Sequence, residues 1–524
     1  MQKHNMRTEK KSSIKNSATR LVLIALLVLI QTGWMVFLML KLNAYSTAIT
    51  LTLTFIAVFI ALKIFGTHVN SAQRMPWLIV ITAVPFFGIC IYLLFGRSIV
   101  TKGMRRRFNG IESDILVNKL SQDETVIDEI AAKDKGIANQ CRYISHTARY
   151  PVYKNTDVEY YAEADISFAA QIEELKKAEH FIFMEYHAIE DALSFERLKK
   201  VLIEKAQSGV EVRIFYDDLG SIFFLNKEFI KRMREQGIQC RVFNPLKVVV
   251  NMFMNNRDHR KITVIDGRVG FTGGYNLADE YFNITHPYGY WKDTGIKLTG
   301  DAVRSLTASF LTMWNAIDHT DSQADYDKYL DAADHTYKAV DSECYVQPYS
   351  DNPLGQDRIG EDVYLNILKN AKDYVYITTP YLIITDEMER ELRLAVKRGV
   401  DVRIVTPGIP DKKMVYKITR SYYEPLCSAG VRIYEYTPGF CHAKQWVSDD
   451  EVSVVGTINM DFRSLYLHFE NAVFTYNKGL AAKVKKDMLN NFEAGREVTK
   501  DYAKDVIRPL KLGTCILRMI SPLL

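Results

Sequence analysis

Two stretches of this chain, DHRKITVIDG at 258–267 and CHAKQWVSDD at 441–450, carry His, Lys and Asp at the same spacing. The residues are His259, Lys261 and Asp266, then His442, Lys444 and Asp449. The chain around them also repeats. HFIFMEY (180–186) is matched by YVYITTPY (374–381), GVEVRIFYD (209–217) by GVDVRIVTP (399–407), and GIQCRVFNP (237–245) by GVRIYEYTP (430–438). Each first run is apolar and β-rich, as a buried strand is. A helical pattern comes next, near 193–208 and 386–398, and each ends at a Gly that suits a helix C′ position. Strand, helix, strand, helix, strand in both halves predicts an α/β fold with helices on both faces of each sheet. A repeat this long is a duplicated domain, not a solenoid.

A chain of 524 residues also exceeds what one core serves. Hydrophobic content of 48% and charged content of 25% describe a mostly globular protein. A formal charge of +5 gives no argument for a nucleic-acid partner. The seven cysteines are scattered without a CxxC pair and suggest neither a disulfide framework nor a zinc site.

The N-terminus differs in kind. Residues 21–40, 42–62 and 75–95 carry no charge, and Arg and Lys stand at their flanks. About 20 apolar residues suffice to cross a bilayer, so the expectation is a set of transmembrane helices and a multi-pass protein. Pro85 and Gly88 sit inside the third stretch, where they would bend it or make it re-entrant. Basic clusters lie before the first stretch and at Arg105, Arg106 and Arg107; the positive-inside tendency favours a cytoplasmic location for the C-terminal region. The expected organisation is a membrane region (1–97), a connecting segment (98–150), two repeated domains (151–330 and 331–510) and a C-terminal amphipathic segment (511–524).

HRKITVID reads as a strand, so His259 and Lys261 share a face, as do His442 and Lys444. Asp266 precedes Gly267, a hairpin-turn signal, and is expected to act chiefly as a turn and hydrogen-bonding residue, with Asp449 in the matching place. After each turn comes a second strand ending in small residues and an Asn. Gly274 and Asn276 in one half, and Thr457 and Asn459 in the other, are candidates for binding a substrate phosphate. Brought together, the halves would offer two imidazoles, two ammonium groups and two amides around one anion. One neutral His can attack phosphorus. The other, protonated, can supply the leaving oxygen with a proton. The ammonium groups stabilise the phosphoryl charge. No metal or cofactor is called for. Each imidazole also needs an orienting partner; Glu470 is expected to hold His442, and Asp293 to hold His259.

The doubled HxKxxxxD pattern resembles the phospholipase D superfamily and, more narrowly, the bacterial cardiolipin synthases. GGYNLADEY (273–281), WKD (291–293), GTINMDFRS (456–464) and the ending ISPLL (520–524) carry the same resemblance. WLIVITAVPFFGICIYLLFGR (77–97) is similar to the membrane segment preceding the catalytic part in that family. The resemblance implies two phospholipase D-like αβα sandwich domains in a pseudo-twofold arrangement, preceded by N-terminal transmembrane helices. It implies a phosphatidyltransferase in which His259 is the nucleophile and His442 the acid and base. The expected substrate is phosphatidylglycerol, the products cardiolipin and glycerol, and the location the bacterial cell membrane, with the lipid bilayer and no nucleic acid as partner. A phospholipase D using water, a headgroup exchange with phosphatidylethanolamine, a nuclease and a non-catalytic lipid-binding scaffold are the alternatives.

Overall fold

The computed structural model describes residues 47–523 apart from 68–69, 97–101, 226, 246–255, 319–322, 332–336 and 506–511, with scattered positions between 22 and 41. The first half contains β1 (Thr156–Tyr161), β2 (Phe181–Tyr186), β3 (Glu211–Asp217), β4 (Gln239–Phe243), β5 (Arg257–Asp258), β6 (Lys261–Ile265), β7 (Val269–Gly273), β8 (Tyr290–Lys292) and β9 (Gly295–Gly300). The second contains β10 (Tyr345–Asp351), β11 (Tyr374–Thr378), β12 (Asp401–Pro407), β13 (Arg432–Tyr436), β14 (Gly439–Cys441), β15 (Gln445–Ser448), β16 (Val452–Gly456), β17 (His468–Tyr476) and β18 (Gly495–Glu497).

The first sheet runs β1-β9-β7-β6-β2-β3-β4. The second runs β10-β17-β16-β15-β11-β12-β13, then adds β18 at its edge. Position by position these are one topology used twice. In each, three strands are parallel (β2, β3, β4; β11, β12, β13) and the HxK hairpin joins their side antiparallel.

Alternation along β2 explains why helices cover both faces. Phe181 and Phe183 belong to one core, with Phe310 and Trp314 of helix Val303–Ile317. Ile182 and Met184 belong to another, with Phe195, Leu198 and Leu202 of helix Leu193–Gln207. The larger core continues without a break into the second half, through Tyr345, Val346 and Tyr349 of β10. The halves therefore share packed interior. Gly209 and Gly399 end their helices at φ +95° and +96°, a conformation that glycine alone adopts freely.

Asp266 and Asp449 sit in the hairpin turns with φ of 52° and 54°. The Asp266 carboxylate accepts from the backbone N–H groups of Glu179, His180 and Phe181. Asp449 does the same for Lys372, Asp373 and Tyr374. Each fastens its hairpin to the start of β2 or β11. Asp266 lies beyond the far end of β6 from His259, about 20 Å away at roughly 3.3 Å per residue.

The expected transmembrane helices are corrected by the structure: among the described residues, no helix is long and apolar enough to cross a membrane. The third stretch is interrupted at Val84, so that helix Ser71–Ala83 stops and helix Pro85–Ile91 starts afresh. Pro85 lacks the N–H that continuity would need. The second stretch forms helix Thr47–Phe65 of 19 residues, with Lys63 in its last turn. Its uncharged part, 47–62, rises about 24 Å at 1.5 Å per residue, short of the ~30 Å hydrocarbon core. The first stretch, 21–40, lies largely outside the described residues.

Candidate active site

Two short strand pairings join the halves. β5 pairs in parallel with β17, Arg257 opposite His468 and Asp258 opposite Phe469. The His259 N–H then donates to the Phe469 carbonyl at 2.9 Å. The next residues on the two strands, His259 and Glu470, therefore lie side by side. β8 pairs in parallel with β14, Trp291 opposite Phe440 and Lys292 opposite Cys441. The His442 N–H donates to the Lys292 carbonyl at 2.7 Å, which sets His442 beside Asp293.

The carboxylates obey that register. His259 Nδ1 is 2.9 Å from both Glu470 oxygens. His442 Nδ1 is 2.6 Å from Asp293 Oδ2. This reverses the pairing expected from sequence: each histidine is held by an acid from the other half. The expectation placed each acid with the nearer motif, whereas the inter-half strand pairings bring distant residues together. A carboxylate only accepts, so Nδ1–H donates in both pairs and Nε2 is the lone-pair nitrogen of each ring.

Both lysines are buried, and each ammonium donates to the carbonyl of its own histidine, Lys261 to His259 and Lys444 to His442. Lys444 Nζ also lies 2.7 Å from His442 Nδ1. Burial pulls Lys261 down to about 7, with the Lys444 charge adding to it. Burial pulls Lys444 down to about 8 against the pull of Asp293 and Glu470. His259 is pushed well below the usual imidazole value by burial, then by Lys261, Lys444 and His442. His442 falls to about 4 through burial and Lys444, opposed by Asp293. Burial raises Asp293, but Lys444 and His442 outweigh it and hold the carboxyl below its ordinary value. These mutual effects are those of one crowded cationic site. Both imidazoles are neutral in the free protein near pH 7. A bound phosphodiester would add the negative charge that favours protonation.

The expected phosphate-binding residues have other partners. An added Cβ at Gly274 would lie 2.0 Å from Asp293 Oδ1, so the glycine leaves room for that carboxylate. Asn276 accepts from Ala188 N–H at 3.1 Å and donates to Tyr281 at 2.8 Å. Thr457 donates to Glu470, steadying the acid that holds His259. Asn459 is buried, its Oδ1 unpartnered among the described residues.

Sequence reasoning missed the histidine neighbours. His187 stands 5.0 Å from the His259 ring, its Nδ1 bonded to the Asp258 carbonyl at 2.7 Å. His468 stands 5.5 Å from the His259 ring and 3.6 Å from Glu470, with neither nitrogen hydrogen-bonded among the described residues. His468 lies two residues before Glu470, on the same strand face, so strand periodicity could have found it. The matching position before Asp293 is Trp291, 5.3 Å from His442. Tyr281 and Phe440 also pack near that ring, at 5.4 and 5.7 Å. His259 thus has imidazole neighbours and His442 aromatic ones. His187 has no histidine counterpart in YVYITTPY, so the repeat gave no signal for it.

Among the described residues, His259, His468 and Glu470 are the group whose ligand atoms, within 4.8 Å of one another, could hold a metal. The Lys261 and Lys444 charges that depress His259 oppose a cation there.

Residues 171–314 and 364–492 match a family model described as cardiolipin synthase, PLD-like domain. Residues 52–97 match one described as phospholipase D-nuclease N-terminal. A cardiolipin synthase of Geobacillus thermodenitrificans is 34% identical, the match covering 92% of this chain and 94% of the relative. One of Halalkalibacterium halodurans is 31% identical, covering 94% and 95%. Among solved structures, phosphatidylserine synthase of Haemophilus influenzae superposes with a TM-score of 0.53 at 15% identity, covering 69% of this chain and 93% of that one, a likeness of fold.

Proposed function

This chain belongs to the cardiolipin synthase, phospholipase D-like family, and from that premise we propose that it makes cardiolipin from two molecules of phosphatidylglycerol. It is a phosphatidyltransferase of the phospholipase D type, and phospholipids are its substrates.

His259 Nε2 attacks the phosphorus of one phosphatidylglycerol while His442 gives a proton to the departing glycerol oxygen. A phosphatidyl-His259 remains, its imidazolium charge balanced by Glu470. The hydroxyl of a second phosphatidylglycerol gives its proton to His442 and attacks the same phosphorus, releasing His259 and cardiolipin. One phosphodiester replaces another, so no nucleotide is consumed. Lys261 and Lys444 hold the phosphoryl oxygens. Asp293 keeps His442 in the tautomer that presents Nε2. Asp266 and Asp449 support this from a distance, by fixing the hairpins. The working place is the bacterial cell membrane, because substrates and product are bilayer lipids.

The crossed pair, His259 with Glu470 and His442 with Asp293, carries this reading. Each imidazole is tied to an acid of the opposite half, and this supports the reading that both act on one phosphorus atom. The test is to supply phosphatidylglycerol with labelled headgroup to the purified protein. Equimolar cardiolipin and free glycerol support the proposal. Phosphatidic acid with glycerol means water is the acceptor, and lipid binding without product means a scaffold.

A further inference from the structure

The rim of the site carries large apolar side chains that no described segment covers. In the first half, Leu193 is 61% exposed at the start of helix Leu193–Gln207, and Phe223 is 46% exposed in the turn after β3. That turn touches the site: Ser221 Oγ accepts from Ile189 N–H at 3.1 Å, and a Cβ on Gly220 would lie 2.8 Å from His187 Nε2. His187 is the ring beside His259.

In the second half, Ile409 and Met414 are 39% and 47% exposed in the turn after β12 and the helix it leads into. Ile409 N–H donates to Gly439, two residues before Cys441, at 3.3 Å. Asp411 accepts from Tyr381 at 2.6 Å, and Lys412 sits over the same ring. Tyr381 faces Phe440, and Phe440 faces His442. One apolar turn thus lies beside each histidine.

The surface continues outward. Helix Lys413–Ser421 packs against helix Leu512–Ile520, whose Leu512 and Ile516 are 78% and 50% exposed. That helix packs in turn on helix Ser71–Ala83, with Met75 and Ile79 exposed, and so reaches helix Thr47–Phe65, with Phe55, Phe59 and Leu62 exposed. Asn70 donates to Tyr466 at 3.1 Å, which fixes this N-terminal pair to the second half. Lys412, Lys413 and Lys417 are exposed along the same edge. Exposed apolar residues such as Leu394 and Leu489 stand singly and are ordinary.

We propose that this continuous edge docks on an anionic phospholipid surface, with Phe223, Ile409 and Met414 entering the acyl boundary so that the histidines meet substrate phosphates at headgroup depth. The proposal rests on the phosphatidyl-transfer reading and adds where and how the lipid arrives. A lipid surface fits better than a protein partner for a physical reason. Whatever covers the rim must also deliver two substrates through it, and a docked protein would close the mouth. The three lysines complement anionic headgroups, as basic residues beside an interfacial apolar face do.

The test uses the full chain on vesicles in two measurements. The first replaces Phe223 with 4-trifluoromethylphenylalanine and reads its fluorine signal beside lipids bearing a nitroxide on the upper acyl chain. Broadening in phosphatidylglycerol vesicles, weaker in phosphatidylcholine vesicles, is the expected result. A signal that stays sharp overturns the proposal. The second measures F223D combined with M414D. Turnover of vesicle phosphatidylglycerol should fall by at least about tenfold to a hundredfold, the scale of one lost apolar side-chain burial. Turnover of a short-chain phosphatidylglycerol, dissolved as monomers, should be unchanged. Equal loss on both substrates overturns the proposal, since the residues then serve fold or chemistry. A wild-type dimer that the double substitution dissociates assigns the rim to a second copy instead. If the wild-type protein turns over neither vesicle nor short-chain phosphatidylglycerol, the transfer reading fails, and the fluorine signal still decides the surface.

Discussion

Exchanging Glu470 for Gln and Asp293 for Asn should damage different halves of the reaction. When phosphorus bonds to His259 Nε2, the ring carries a positive charge with Glu470 at Nδ1. Two charges about 4 Å apart interact by about 4 kcal/mol at an effective dielectric of ~20, which is about a thousandfold in rate. Glu470→Gln keeps the shape and removes that charge, so formation of the intermediate should slow by about a thousandfold. Asp293→Asn disturbs only the proton donor. Its defect should vanish for a leaving group that needs no proton. Stopped-flow absorbance with a phosphatidyl p-nitrophenyl ester reads the first step as a burst of nitrophenolate. The Glu470→Gln burst should be slow, and the Asp293→Asn burst near the wild-type rate but succeeded by slow turnover. The opposite pattern, a lost burst in Asp293→Asn and an intact one in Glu470→Gln, would refute the crossed assignment.

The same geometry sets three further outcomes. Lys261 and Lys444, at about 7 and 8, lose charge as pH rises; kcat/KM should fall across that interval. A bound phosphate favours their charged forms, so the descending limb of kcat should lie at higher pH; coincident limbs would mean that the lysines do not hold the phosphate. His468 stands beside His259 with both ring nitrogens buried and neither hydrogen-bonded among the described residues, which leaves it able to donate to a bound phosphate. His468→Phe should then lower kcat/KM about tenfold, the scale of one hydrogen bond to a charged group, whereas His468→Gln should restore most of it; equal rates for both variants would leave the imidazole without a part in binding. Asp266→Ala removes the acceptor for three backbone N–H groups and should cost about 3 kcal/mol of stability in urea unfolding, with kcat of the folded fraction kept; a lost kcat at unchanged stability would put Asp266 in the chemistry.

The duplication was legible because it is written locally. Apolar runs of strand length, helix-ending glycines and an Asp at each hairpin turn are short-range signals, and both sheets use them in the same order. The strand expected across each HxK run starts late, at Lys261 in β6 and Gln445 in β15, so His259, His442 and Lys444 stand just outside it. The crossing of the carboxylates was not legible. His259 and Glu470 are joined through β5 and β17, His442 and Asp293 through β8 and β14, and pairings between distant segments leave no trace in spacing. Gly274 shows the same limit. A glycine at a site suggests room for ligand, but its space is taken by Asp293, a neighbour visible only in three dimensions. The third apolar stretch was long enough to read as a span, but the bend expected at Pro85 was legible too, and the helix does break there.

Identifying the residue that carries the phosphatidyl group tests the central claim most directly. Wild-type protein mixed with phosphatidylglycerol, quenched within the first turnover and digested, can be searched by mass spectrometry for modified histidine. The added mass should fall on the peptide containing His259 and should disappear when His259 is replaced by Ala. The mass on His442, or cardiolipin formed at full rate with neither histidine ever modified, would contradict it.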